Sequence, residues 1–541
     1  MQDLSFEFAN AHLDVWGYDV SVNLYTFENA YGLDAEKLHI DRCESQITAT
    51  CTGLLWAGGQ EKASGWVKLE AKPSRNGVKI RLQAGGMAHV IRSAKVTLHN
   101  LRPGCIMNKL DLTRPQITPE GLLLKYPEGW RTIDTPMVII GHEKGMTCLR
   151  SLDTRVRDKR FAFFRKGDWV LGELIFESYG SEITNEIDVP AWEIAPCDSV
   201  EQAYEWQKEH IERSFCLTPW EQREDVPAWA RQIALVTAIH CQHWTGYIFN
   251  DYKTVLENLK WFAKRMEPKH ILAFLPGWEG RYYWKYGNYC PDERLGGSAG
   301  YHYLCDGARE MGVHLMPMYG INCANRNQPG FEHWGEPSRA TNPANAQRGG
   351  GVDWDGSRHY QHGYGAMLNP SAPQWRNHLT RQIIRLSEEY GLQAAFLDIA
   401  ACWYNDPHFK PTNEGVKELC DQLRAGVPDM LVSGEAWYDG LTPAMPVIHS
   451  GHSDGPMNYH DAVYPPFFDT WMREFAHLCL GDPSRGSTGV HELGTNFAQW
   501  RTPLRKGVWP TVTVVDHTLE RAQDKVEQII ADARAYAKQF L

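Results

Sequence analysis

Up to about residue 200 the apolar positions recur with period two, as in Val20, Val22 and Leu24, again in Val78, Ile80 and Leu82, and later in Val170, Leu174 and Phe176. That alternation gives an extended chain one core face and one wet face. Short alternating runs separated by Gly, Pro, Asn and Asp turns predict an antiparallel β-sandwich. Residues 201–215 have helical texture, and the polar stretch that follows, with Pro219 and Pro227, predicts a seam at 216–228. The expected division is a sandwich domain with helical linker over 1–220 and a second domain over 221–541.

Beyond the seam, apolar runs alternate with helix-period segments. Runs at 235–240, 271–278 and 313–320 are each followed by a helix pattern, and an insert at 321–371 precedes a helix with Leu379, Ile383, Leu386 and Tyr390. Two more runs, at 392–400 and 430–437, flank a helix with Val416, Leu419 and Leu423. Five consecutive strand-then-helix units predict a parallel sheet, and their spacing suits a (β/α)8 TIM barrel. A late strand at 511–518 and a closing helix with Ala522, Val526, Ile529, Ala533 and Tyr536 complete the pattern, while strands six and seven fall within 445–500 without a signal that places them.

Length fits this division, since 541 residues exceed what one core usually serves. A net charge of −11 with both signs scattered leaves no basic face, so neither nucleic acid nor an anionic membrane is an expected partner. No run approaches the length of a membrane span, and the first residues show no basic then apolar leader pattern, so a cytoplasmic location is expected. Thirteen cysteines without a C-x-x-C pair read as reduced thiols. The 21 Trp and 23 Tyr include many in the second half beside Gly, Asn and His, and flat, partly polar rings suit sugar faces as well as cores.

In a parallel barrel the active site forms at the carboxyl ends of the strands. Those ends carry His240 and His243, then Trp278 and Glu279, Tyr319 and Asn322, Asp398, Glu435, and finally Asp516 with His517. Asp398 closes Ala-Ala-Phe-Leu and Glu435 closes Val-Ser-Gly, positions where an acid is costly to bury without a role. Neighbouring parallel strands lie about 4.8 Å apart. Two carboxyls so placed approach the separation of about 5 Å used by retaining glycosidases, rather than the roughly 6.5 to 9.5 Å of inverting ones.

The segment from Pro276 through Tyr319, then Phe396-Leu397-Asp398-Ile399-Ala400, then Gly434-Glu435-Ala436-Trp437, resembles the catalytic barrel of retaining α-glycosidases, the assemblage that includes glycoside hydrolase families 13, 31, 36 and 101. The resemblance implies a sandwich before the barrel, Asp398 as nucleophile, Glu435 as acid/base, a carbohydrate substrate and no cofactor. Phe396 stands where family 13 has an Arg two residues before its nucleophile, a departure from the α-amylase pattern.

Around this pair, Trp278, Arg281, Trp284, Tyr319, Trp403 and Trp437 are candidate pocket walls, and His243, Asp516 and His517 candidate hydroxyl partners. The run at 449–461 reads as a sugar-binding loop, with His452 and Asp454 as its contacts. A second reading is a metal-dependent barrel hydrolase using His240, His243 and Asp516, although on an extended strand the two histidines would face opposite sides. A third is a non-catalytic carbohydrate-binding relative. Oligomeric state is left open, a homo-oligomer included.

Overall fold

The computed structural model describes residues 10–74, 77–109, 114–127, 132–243, 246–281, 283–344, 365–449, 467–479 and 504–541. Between Leu13 and Cys197 the described residues form two antiparallel sheets of nine and eight strands. The period-two positions are their shared interior. Val20, Val22 and Leu24 are fully buried and pair with Leu98, Val96 and Ala94 on the neighbouring strand. In the other sheet Val78, Ile80 and Leu82 turn inward while Lys79 and Arg81 stay exposed. Phe161 and Trp192 meet edge to face across the two sheets at 5.5 Å, the packing expected of a sandwich core.

A helix, Val200–Phe215, leads out of the sandwich. The Ser199 side chain caps its first turn by accepting from the Gln202 N–H, and Cys216 ends it in the left-handed region. The barrel follows. Its strands are β1 (Leu235–Ile239), β2 (Ile271–Leu275), β3 (His314–Gly320), β4 (Ala394–Asp398), β5 (Leu431–Glu435), β6 (Val447–His449), β7 (His477–Cys479) and β8 (Thr511–Val514). They pair in parallel in that order, β8 pairs with β1, and Leu478 bridges Val508 just ahead of β8 to complete the ring. The crossover helices are α1 (Tyr252–Ala263), α2 (Gly297–Met311), α3 (Pro373–Tyr390) and α4 (Thr412–Gly426), and α5 (Gln523–Phe540) closes the chain.

Strands β1, β2 and β4 are buried along their whole length, which explains why they read as continuous apolar runs and not as alternating ones. The insert at 321–371 is not a bare loop. Cys323–Asn325 pairs antiparallel with Gly365–Met367, and a short helix, Phe331–Trp334, lies between them. No helix among the described residues is long and apolar enough to cross a membrane.

The sandwich grips the two loops that leave β4 and β5. Behind β5, the Tyr126 hydroxyl donates to Asp439 and the Thr135 hydroxyl donates to the same carboxylate at 2.9 Å, while Gln207 of the linker helix donates to Thr135 at 2.7 Å. Behind β4, the Asn405 amide donates to the Ser178 carbonyl at 3.0 Å and its oxygen accepts from the Gly180 N–H at 2.6 Å. Gly180 is required there, because a Cβ would lie 2.8 Å from the backbone nitrogen of Pro407.

Asp439 is fully buried and burial pushes its carboxyl up to about 6. Replacing it by Ala leaves the buried Tyr126 and Thr135 hydroxyls without their acceptor. The expected cost is about 2 to 4 kcal/mol in urea unfolding, with Asp439→Asn losing less.

Candidate active site

Strands β4 and β5 are hydrogen-bonded neighbours in the register Leu397 to Gly434, so Asp398 and Glu435 leave the barrel side by side. Asp398 is 5% exposed and Glu435 half-buried. The Glu435 carboxyl lies within hydrogen-bonding reach of Asp398. The backbone N–H of Ile399 donates to Glu435 Oε2 at 2.9 Å and also lowers the proton affinity of Asp398. That N–H therefore holds Glu435 from the residue next to Asp398.

Placing that N–H requires an unusual backbone. Ile399, directly after Asp398, sits at φ 60°, and Ala436, directly after Glu435, at φ 56°. Neither is glycine, and for a β-branched residue such as Ile the left-handed region is costly, on the order of 1–3 kcal/mol. Both strands thus leave the extended conformation at the residue after their carboxylate.

Burial is the largest influence on Asp398 and raises its proton affinity, because a carboxylate without water is disfavoured. Opposing it, the Tyr286 hydroxyl donates to Asp398 Oδ2 at 2.5 Å. Tyr286 lies flat over Gly320, the last residue of β3, where a Cβ would fall 2.1 Å from the tyrosine ring. Gly320 is the register partner of Asp398, so its missing side chain makes the space from which Tyr286 reaches the acid. Tyr286 was not singled out from sequence. It follows no predicted strand end, although the aromatic run from Tyr282 to Tyr289 was a visible signal.

The other candidates divide. Trp284 is 7% exposed with the Arg281 guanidinium 4.0 Å above its ring, and its indole N–H has no hydrogen-bond partner among the described residues. Trp403 is also 7% exposed with an unpartnered indole N–H, and meets Tyr179 of the sandwich at 6.0 Å. Three expected pocket walls are core residues. Trp278 stacks on Tyr301 of α2 at 5.0 Å and its indole donates to the Met318 carbonyl at 3.0 Å. Tyr319 is fully buried, edge-on to Trp278 and Tyr289. Trp437 donates to Thr442 at 3.0 Å and packs on Phe468. Their rings serve the layer between strands and helices and its loops, where large aromatics bury most area.

His240 and His243 lie beyond the end of β1 at Ile239, so the alternation of a strand no longer separates them. Both rings approach Phe249, at 6.4 and 5.9 Å. Asp516 instead accepts from the Tyr247 hydroxyl at 3.1 Å, and His517 is exposed beside Glu520. His240, His243 and Asp516 form no metal-sized group among the described residues. The metal-sized group among the described residues is His12, Asp19 and His99, on the sandwich strands. His452 and Asp454, with the rest of 450–466, lie outside the described residues.

The Tyr286–Asp398 bond gives a direct test. Tyr286→Phe removes a donor that favours the carboxylate, so Asp398 titrates higher, by about one pH unit, in carboxyl-labelled NMR. Gly320→Ala, by displacing the ring, shifts it in the same direction.

No protein-family model matches the chain, and no curated protein does. Solved structures do. The alpha-N-acetylgalactosaminidase NagBb from Bifidobacterium bifidum, in its GalNAc complex, aligns over 98% of this chain and 94% of that one with a TM-score of 0.66 at 12% identity. The Gal-NHAc-DNJ complex of the same protein gives 0.67 over 97% and 90%, also at 12% identity. The GH36 alpha-galactosidase AgaA from Geobacillus stearothermophilus aligns over 97% of this chain and 76% of that one, with a TM-score of 0.52 at 10% identity. At these identities what is shared is the fold, an antiparallel β-sandwich followed by a (β/α)8 barrel.

Proposed function

We propose that the protein is a retaining glycoside hydrolase acting on an α-linked sugar, with Asp398 as nucleophile and Glu435 as acid/base. The observation that carries this reading is the contact of the two carboxyls at adjacent strand ends. An inverting pair stands about 6.5 to 9.5 Å apart to admit a water, whereas adjacent parallel strands, about 4.8 Å apart, suit the roughly 5 Å of the retaining class. In the first step Asp398 attacks the anomeric carbon while the Glu435 proton passes to the departing oxygen. In the second, Glu435 takes a proton from water as that water displaces Asp398 from the sugar.

The protonation states suit these roles. Two carboxyls in contact share one proton more readily than they bear two charges, which leaves a proton for the leaving group. Tyr286 and the Ile399 N–H favour the ionised form on Asp398, the one that must attack. No step calls for a metal or cofactor.

Galactose-configured substrates are the first to examine, because NagBb and AgaA carry those activities in their names. NagBb matches nearly end to end, so aryl α-N-acetylgalactosaminides head the panel. Arg281, Trp284, Trp403 and His243 are the proposed sugar contacts at the rim, with Asp516, His517, His452 and Asp454 as outer contacts. The split into a sandwich domain over 1–220 and a barrel over 221–541, and a cytoplasmic location, belong to the same proposal.

Asp398→Ala should abolish hydrolysis of an aryl α-glycoside and, with azide, release a glycosyl azide of inverted anomeric configuration. Full activity in that variant sinks the assignment. Glu435→Gln should lose about 10²-fold or more with a poor leaving group and far less with a dinitrophenyl one, because only the former needs the acid. Equal losses on both would remove Glu435 from the acid/base role. Treatment with a chelator should leave the rate unchanged, and its loss would favour the metal-dependent reading.

A further inference from the structure

Away from the barrel mouth, the sandwich carries two imidazoles and a carboxylate that the reaction above does not use. One nitrogen of His12, one of His99 and one oxygen of Asp19 lie within 4.8 Å of one another. Strand register brings them together. Val20 faces the core and pairs with Leu13 on one side and Leu98 on the other. His12 precedes Leu13, His99 follows Leu98 and Asp19 precedes Val20, so by alternation all three turn outward. Three neighbouring segments of chain each supply one donor.

The donors are held in place. His12 Nδ1 lies 2.8 Å from Asp19 Oδ1, and the His12 and His99 rings approach to 4.3 Å between centroids. Ser21, which is buried, bonds His99 Nε2 through its hydroxyl at 2.7 Å and fixes that ring. Trp16 and Gly17, at φ 46° and 88°, make the two-residue turn that returns the chain to Asp19. Asn100 clamps that turn, its side-chain oxygen accepting from the Asp19 N–H at 3.0 Å and its amide donating to the Gly17 carbonyl at 2.7 Å. Burial, then His12, keeps His99 below the ordinary imidazole range, with Asp19 opposing and Lys166 and Lys95 adding. A neutral ring is the form that ligates a metal, and the Lys95 ammonium is itself paired with Glu173.

We propose that His12, Asp19 and His99 bind a divalent transition-metal ion of the zinc class. Two imidazoles and a carboxylate are a donor set that zinc takes, and they leave a fourth position for water or a further ligand. Calcium and magnesium, which take six or more ligands, nearly all oxygen, find a single carboxylate here. An exposed His–Asp pair alone contributes little and gives no reason for the second imidazole. The ion ties the edge hairpin at Leu13–Val15 to the strand Ser93–Leu101, across Tyr18–Tyr25 between them. From Asp19 it is about 20 Å along that strand to Tyr25, whose partner Ser93 pairs with Glu177 beside the Ser178 contact with the barrel. The site therefore acts on the stability of the sandwich and not on the carboxyl pair.

This proposal does not rest on the glycosidase reading, and its test needs no turnover. Full-length protein stripped with a chelator is titrated with zinc chloride in a calorimeter, as wild type, His12→Gln, Asp19→Asn and His99→Gln, with thermal midpoints read at each zinc concentration. Wild type should bind one equivalent that each variant lacks or holds about tenfold or more weakly. Its midpoint should climb with free zinc, and the variants' should not. Zinc taken up by other histidines of the chain is common to all four proteins and cancels in the difference. Magnesium chloride and calcium chloride should give neither signal. His12 is half exposed, so His12→Gln keeps the comparison available should another variant fail to fold. A wild type that binds no zinc, isotherms and midpoints unchanged in the variants, or a response to calcium equal to that to zinc overturns the proposal.

Discussion

A carboxyl placed at the end of a barrel strand and shut off from water is the constraint around which this structure is organised. Burial alone would keep Asp398 protonated, and the role proposed for it needs the ionised form. The groups that favour its charge, Tyr286 and the Ile399 N–H, are each supported by something more expensive than themselves. Tyr286 needs the empty face of Gly320, and the Ile399 N–H needs an isoleucine in the left-handed region. Strain at a β-branched residue persists only where the surroundings over-determine it. The surroundings here include the barrel floor and the sandwich.

The sandwich is therefore more than a leading domain. Asn405 lies seven residues after Asp398 and Asp439 four after Glu435, and both are held by sandwich residues through hydrogen bonds that exclude water. Fixing the far ends of these loops limits how far the strained turns can relax. The same contacts place Trp403 against Tyr179, so one candidate pocket wall leans on the sandwich. Fold and site are coupled through two loops, and a change in the sandwich near Ser178 or Thr135 acts on the carboxyl pair at a distance.

How much of this the chain revealed depended on how long each signal ran. Strands β4 and β5 were legible because each is five residues of buried chain closed by one acid. Strands β6 and β7 have three residues each, too few for any period to register. The aromatics misled for a related reason. Trp278 and Trp437 follow strand ends, which marks them as rim residues in sequence, but a ring after a strand can fold back between strand and helix. Tyr286 shows the converse, a site residue whose reach depends on a glycine thirty-odd residues away that only the β3 to β4 register brings beneath it. His240 and His243 lie past the end of β1, which stops one residue earlier than its apolar run suggested, so strand alternation does not set their faces.

The contact between Asp398 and Glu435 also bears on which kind of displacement this site can host. An enzyme that inverts must hold its acids far enough apart for a sugar and a water together, about 6.5 to 9.5 Å. Here adjacency is enforced by the parallel ladder, and the Ile399 N–H, directly after Asp398, holds Glu435. Widening the pair to the inverting distance would break that bond and move a turn whose far end the sandwich holds. On the proposed hydrolase reading the geometry thus favours retention for a mechanical reason, quite apart from the proton affinity of Asp398.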